Sequence, residues 1–361
     1  MSKLPTISPS SSSSSYDFEM KVVFDEIQKI SKEKNCGEIV IGLQFPEGLK
    51  KHALDIASQI EREADASVYI SADPCFGACD LDMRLLEKSD LFFHFGHAEL
   101  KQENIGNKVR FIEARSKVDV SDAVKAAIPL LPEQTIGLVT TVQHVHQLEN
   151  ARRILEAAGK TVIIGDGDKR IAYPGQILGC NFSAALFGSE KDGALFESEK
   201  CGALLYIGSG QFHPIGAALS SKKRVVCADP FTSEVFELND RKFLMQRSAV
   251  IGNAADAEIF CILVSTKNGQ YRRVLAESIK SKAESCGKQA FILYMDLVTP
   301  DQMLSFKADA FVNTACPRLA IDDSGRYPAP VLTPQEFEIV LGERKWEDLV
   351  LDEILEGGQD E

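Results

Sequence analysis

From residue 38 onward the chain alternates short apolar runs with longer amphipathic stretches. EIVIGLQF (38–45) is apolar through its centre, the pattern of a strand buried on both faces. Behind it Pro46 stands where a helix begins, and Leu49, Ala53, Ile56 and Ile60 recur at helical spacing. SVYISAD, DLFFHFG and KVRFIEA predict three more strands. A second block opens near Gln134 with strand TIGLVTTV, helix HQLENARRILEAAG closing at Gly159, and strand TVIIGD. The segment ILGC and strands ALLYIG and RVVCAD follow. A third opens near Glu258 with strand EIFCILVST, helix QYRRVLAESIKSKAES closing at Gly287, strand AFILYMDLV, a short helix PDQMLSF and strand AFVNTA. The stretch 334–356 reads as a helical segment lying on the surface.

All three blocks share one order, strand then long helix then strand, which is how a parallel sheet wrapped by helices is written. The expected fold is therefore α/β: three similar parallel-sheet βαβ domains arranged around a central site. The expected boundaries are a disordered Ser-rich tail (1–16), domains at 17–120 and 121–230, and a third at 231–361 carrying a C-terminal helix. The blocks share no detectable residue-level identity, so duplication stays open.

Composition narrows the function. A chain of 361 residues suits roughly 2–3 domains. Lys and Arg total 40 against 53 Asp and Glu, a net charge of −13, which argues against nucleic acid or anionic lipid as partner. No apolar run approaches the ~18 residues that cross a bilayer, and the N-terminus lacks an apolar leader core; a cytoplasmic setting is expected.

Nine cysteines, an odd number without an export signal, do not read as a disulfide framework. Cys227 and Cys261 sit in strand-like runs, Cys36 and Cys286 precede glycines at helix ends, and Cys201 opens a strand; these read as structural. Cys75, Cys79, Cys180 and Cys316 lie instead in Gly-, Pro- or Asp-rich segments where strands end. The loop cysteines fall once per block: Cys79 (with Cys75), Cys180, Cys316. Open parallel sheets place ligands beyond the carboxyl ends of their strands, so three blocks around one axis can bring these loops together. Only one closely spaced pair exists, which fits a closed zinc site poorly. Three thiolates on a four-iron cluster would leave one iron open to substrate. Three unrelated loop cysteines remain the alternative.

His94 and His97 in HFGH, and His144 and His146 in QHVH, read as hydrogen-bonded structural groups rather than metal ligands. Asp166 and Asp168 in GDGD read as a turn. GSGQFHPIG offers Gly208, Ser209 and Gly210 ahead of a helix expected to begin at Pro214, where backbone amides can meet a carboxylate or phosphate. Its spacing is not that of a dinucleotide fingerprint.

LQFPEGL (43–49), DPCFGACDL (73–81), PGQILGCN (174–181), GSGQFHPIG (208–216) and NTACPRLAIDD (313–323) together resemble the diphthamide-biosynthesis radical enzymes, most closely the archaeal single-subunit form. The resemblance runs in order from about residue 38 to 334. It implies one cysteine per domain on a [4Fe-4S] cluster: Cys79 from G-A-C, Cys180 from L-G-C and Cys316 from A-C-P-R. Cys75 stays outside that set, as a structural or supporting thiol. Phe76 and Gln211 depart from the family pattern. The implied reaction begins with S-adenosylmethionine on the open iron. One electron reaches the sulfonium, the bond from sulfur to Cγ breaks, and methylthioadenosine leaves. The resulting 3-amino-3-carboxypropyl radical adds to C2 of a histidine of translation elongation factor 2. An electron donor and a homodimer are also implied. Gln44, Glu47, Gln143 and His213 are the candidates for lining the crevice, with Gly208–Gly210 as the cradle for the methionine amino and carboxylate groups. Two other readings stand beside this one. The first is a three-domain cluster dehydratase of quinolinate synthase type. The second is a non-catalytic electron-transfer subunit.

Overall fold

The computed structural model describes residues 14–34, 38–100, 106–187, 201–321 and 324–354. Its frame is three separate sheets, each wound in the same way. The first runs, edge to edge, Ala66–Ile70, Ile39–Gln44, Leu91–Phe95, Val109–Ile112, all parallel. The third runs Gln289–Met295, Ile259–Ser265, Ala310–Asn313, Val331–Leu332, again all parallel. The second has Thr161–Ile163, Thr135–Thr140, Ala203–Ile207 and Arg224–Ala228 in parallel, and adds Val235–Glu237 as an antiparallel edge. Counted within each unit, the strand order is 2-1-3-4 every time. That order reverses direction between the first and third strands, and a crevice opens beyond their carboxyl ends.

Each first crossover is a helix whose apolar positions recur at three- and four-residue spacing. Ala53, Ile56, Ala57 and Ile60 are buried in Ala53–Glu63, Leu148, Ala151 and Leu155 in Leu148–Ala157, and Ala276, Ile279 and Ala283 in Arg273–Ser285. These stripes close over the apolar central strands to make a core on one face of each sheet. Phe260 is fully buried in the third core, edge-on to Phe337. No helix among the described residues is long and apolar enough to cross a membrane.

Several sequence expectations shift. Pro46 leads into a 3-10 turn, Glu47–His52, and the α-helix begins only at Ala53. The segment ILGC, to which the sequence assigns no element, is irregular, with Leu178 and Asn181 forming an isolated bridge. The helix expected from Pro214 starts at Phe212. Helices Met20–Glu33 and Arg241–Ala254 were not anticipated, because each buries only a few positions (Val23 and Ile27; Phe243, Arg247 and Ala254) in a largely polar stretch. Tyr16, assigned to the tail, pairs with Ser116 in a short antiparallel strand. The boundary at 230 cuts off Val235–Glu237, which belongs to the second sheet. Residues 1–13 and Cys36 lie outside the described residues.

The largest difference is at the C-terminal end. Pro334–Val340 is a helix with a Thr333–Glu336 capping box, but Glu336 and Phe337 are buried. Beyond it Leu349, Leu351, Asp352 and Ile354 are buried too. This segment is a strap rather than a surface helix. It runs between the second and third units, where its polar groups are met by Arg272 and Arg170.

Candidate functional site

The loops at the carboxyl ends of the strands carry the chemistry. Cys79 follows the second strand of the first unit, in a loop built on Gln44 at the end of the first strand. Gln44 Nε2 donates to Asp80 O (2.8 Å), and the Asp82 carboxylate accepts from Leu85 N (3.1 Å) to cap the helix Met83–Lys88. The third unit reaches across to this loop. Lys267 Nζ lies 2.5 Å from Asp80 Oδ1, and Gln270 Nε2 donates to Cys79 Sγ at 3.3 Å.

Cys316 follows the third strand of the third unit. Asn313 folds its amide back on the turn, donating to Cys316 O (2.8 Å) and accepting from Ala315 N (3.1 Å). Arg272 donates to Thr314 O (2.6 Å) and Ala315 O (3.1 Å) while its other face grips Asp352 of the strap.

Cys180 follows the second strand of the second unit in irregular backbone, and its loop is held from outside. Ile354 N donates to Cys180 O (2.8 Å), Phe182 N donates to Glu353 (2.7 Å), and Asn181 Nδ2 donates to Asp168 (2.7 Å). The loop presses on the helix Phe212–Ser221. A Cβ on Gly179 would sit 2.7 Å from Phe212, and one on Gly216 would sit 2.0 Å from Phe182; only glycine admits this approach. The GDGD segment is thus a turn whose Asp168 fastens the Cys180 loop.

The three thiols lie within electrostatic reach of one another. Burial raises the pKa of Cys180 well above its ordinary value, and the charges of Cys79 and Cys316 add to that. Burial pushes Cys316 up to about 12, again with Cys79 contributing. Cys79 is raised by burial and partly relieved by the Gln270 hydrogen bond. Three neutral thiols sharing one crevice become thiolates together only when a metal centre takes up their charge, releasing protons. Among the described cysteines these three are half-buried; Cys75, Cys201, Cys227 and Cys261 are buried and Cys286 is exposed. Near them lies Arg170, 8% exposed, whose Nη1 donates to Ile354 O and whose buried Nη2 has no partner among the described residues. Soft sulfur donors and an unmatched buried cation suit an anionic iron–sulfur group in this crevice.

Two cavities formed by the first and third units reach Cys79 and Cys316, and Cys180 lines neither of them. One of about 420 Å³ is lined by Gln44, Cys79, Asp80, Lys267 and Asp296, the other of about 610 Å³ by Glu47, His97, Gln270, Cys316 and Arg318. Gln44 and Glu47 therefore reach the crevice. Gln143 does not line either cavity; its Nε2 donates to Gly96 O (2.7 Å) and stitches the second unit to the first. Gly208, Ser209 and Gly210 form the turn after the third strand of the second unit, with Tyr206 Oη on Ser209 O (3.2 Å). His213 stacks on Tyr206, is held neutral by burial (pKa about 4), and feels the charge of Arg318 and His97.

Cys75, His94 and His97 bring their donor atoms within 4.8 Å of one another. Their polar groups are already matched. Gln44 spends its amide nitrogen on Asp80 O, so its oxygen faces His94 Nδ1 (2.9 Å), which carries the proton. His94 Nε2 then accepts from His97 Nδ1 (2.9 Å). Burial keeps both imidazoles neutral, His97 with a pKa of about 4. His144 is buried and its neighbour His146 is exposed. Sequence reasoning missed Arg170, Lys267, Gln270, Arg272 and Arg318. Lys267 and Gln270 occupy in the third unit the first-strand loop that Gln44 and Glu47 occupy in the first, and that repetition was the available signal.

Three similarly wound units, each with a loop cysteine beyond the carboxyl end of a strand, define a three-unit α/β protein. The chain matches the family described as putative diphthamide synthesis protein across residues 45–350, and it belongs to that family. It is 37% identical over 334 residues to 2-(3-amino-3-carboxypropyl)histidine synthase of Pyrococcus horikoshii, covering 91% of this chain and 93% of that one. Subunit 1 of the corresponding synthase of Gallus gallus is 28% identical over 348 residues, covering 92% of this chain and 79% of that one. The crystal structure of Dph2 from Pyrococcus horikoshii with 4Fe-4S cluster superposes with a TM-score of 0.83 at 34% identity, covering 96% of both chains.

Proposed function

We propose that this chain transfers a 3-amino-3-carboxypropyl group from S-adenosylmethionine to a histidine of translation elongation factor 2, as the first step of diphthamide formation. Cys79, Cys180 and Cys316 hold a [4Fe-4S] cluster. The observation that carries this reading is the electrostatic proximity of three thiols from three separate units, in a chain similar to a named synthase over nine-tenths of its length. When bound, the cluster supplies the open iron for the sulfonium ligand and the single electron that breaks its S–Cγ bond.

The chain's own groups do the rest. Gln270 donates to the Cys79 sulfur and fixes its rotamer. Glu47 and Arg318 both line the larger cavity and bring to it the opposite charges that an α-amino and an α-carboxylate group need. The Gly208–Gly210 turn and His213 bound the crevice from the second unit. Walls from the first and third units shield the crevice from water, which a carbon radical requires. A homodimer, an external one-electron donor and a cytoplasmic setting belong to the same reading, and the acidic surface suits a basic protein substrate.

Anaerobically reconstituted protein tests this. Iron and sulfide near four per chain, an EPR signal after dithionite, and methylthioadenosine release on adding S-adenosylmethionine are expected. Each of Cys79→Ala, Cys180→Ala and Cys316→Ala should lower iron content and abolish release, while Cys261→Ala leaves both near normal. A loaded protein that releases no methylthioadenosine under dithionite removes the radical reading.

A further inference from the structure

The placement of Arg170 is costly. A guanidinium is always charged and carries five N–H donors, so burying one with a donor unmatched is unfavourable unless something receives it. Its backbone N donates to Asp168 (2.9 Å), and the same Asp168 carboxylate receives Asn181, the residue after Cys180. Its Nη1 is held by Ile354 O, while Ile354 N holds Cys180 O. One strap residue thus fixes both the guanidinium and the cysteine backbone. Nη2 remains buried and without a partner among the described residues. Its charge is felt by two thiols from different units, Cys79 and Cys180. The nearby carboxylates are occupied otherwise: Glu353 takes Phe182 N, and Asp352 takes Arg272.

Building on the cluster assignment above, we propose that Arg170 Nη2 donates to the sulfur shell of the cluster at its Cys79–Cys180 edge and sets its reduction potential. One-electron reduction adds negative charge to a group already anionic through its thiolates. A fixed cation and an N–H donor at a buried edge stabilise the reduced form more than the oxidised one. No proton is transferred and no bond is broken. Arg170 tunes the acceptor and does not touch the methionine portion.

EPR-monitored potential titration of the loaded full-length chain, without S-adenosylmethionine, gives a readout independent of turnover. Arg170→Gln should move the midpoint negative by an equilibrium factor of ten or more, about 59 mV for one electron. Arg170→Lys, which keeps the charge but loses the fork, should shift it less. Full iron content with an unmoved midpoint in both variants overturns the proposal and leaves the cluster assignment standing. An unmoved midpoint with weakened S-adenosylmethionine binding also overturns it, because the donor then serves the ligand's carboxylate. Loss of iron from both variants with unchanged melting assigns Arg170 to cluster retention and equally overturns the tuning role. A wild-type chain that takes up no iron defeats the cluster assignment and this proposal together.

Discussion

Cys79 and Cys180 stand beyond the second strands of their sheets, whereas Cys316 stands beyond the third strand of its own. In the third unit the second-strand loop has Asp296 and Leu297 on the cavity walls and no cysteine. At the third-strand position taken by Cys316, the first unit places His94 and His97, and the second places Gly208 through His213. The scaffold is repeated three times and the ligand set is not. One wound sheet supplies several loops at the same end; the first two units use the second-strand loop and the third unit uses the third-strand loop. The means of support differ as well. The Cys316 turn is held by its own unit through Asn313 and Arg272, Cys79 is held by the third unit, and Cys180 by the strap.

The sharpest way to break this comparison is at Asp352. Arg272 and Asp352 form a buried two-pronged pair, and Arg272 also carries the Thr314 and Ala315 carbonyls of the Cys316 turn. Asp352→Ala leaves that guanidinium buried and uncompensated, which costs about 3–5 kcal/mol. It also frees the strap residues that hold Cys180. Phe260→Ala, in the third core, costs a similar amount, about 3–5 kcal/mol, through a cavity remote from the thiols. Urea unfolding with iron analysis separates the two. Asp352→Ala should lose stability and iron together, and Phe260→Ala only stability. Equal iron loss in both variants means the strap has no specific role.

Lys267→Met probes the support of Cys79, with a smaller effect of about 1–3 kcal/mol from leaving Asp80 without its ionic partner. Burial already raises the Asp80 carboxyl, with Lys267 opposing that shift. Removing the lysine raises it further, so the folded protein holds the proton more tightly than the unfolded chain does. Stability of the variant should therefore fall as pH rises through the interval from 3.8 to the elevated folded value. A denaturation series from pH 4 to 7 checks the slope, and a variant with the wild-type slope would show that Lys267 is not what keeps Asp80 charged.

The sequence displayed the scaffold well and the site unevenly. Strand runs such as EIFCILVST are apolar because both faces are covered, so an unbroken apolar run of strand length locates them. Once-per-block spacing picked out Cys79, Cys180 and Cys316, although it implied an equivalence that Cys316 lacks. Arg170, Arg272 and Asp352 were invisible for a physical reason. A charged residue reads as surface until its partner is known, and these partners lie 80 or more residues away. The strap was misread likewise, because its buried groups alternate with charges that are matched only in three dimensions.

The third-strand loops give the gentlest test. His97 and His213 occupy in the first two units the place that Cys316 takes in the third, and burial holds each at a pKa of about 4. For His213 the charges of Arg318 and His97 add to the burial. Both are harder to protonate folded than unfolded. Between pH 6.5 and 4 the unfolded chain binds more protons, and stability falls as the pH drops through that window. The slope is at most about 1.4 kcal/mol per pH unit for each histidine. His213→Gln should leave stability at pH 7.5 nearly unchanged and flatten the decline between pH 6.5 and 5 by roughly 1 kcal/mol per pH unit or less. Urea midpoints of the cluster-free chain across that range provide the measurement. An undiminished decline in the variant would mean that His213 is solvated enough to titrate normally, and that the second unit's loop does not close on the crevice as the third unit's does.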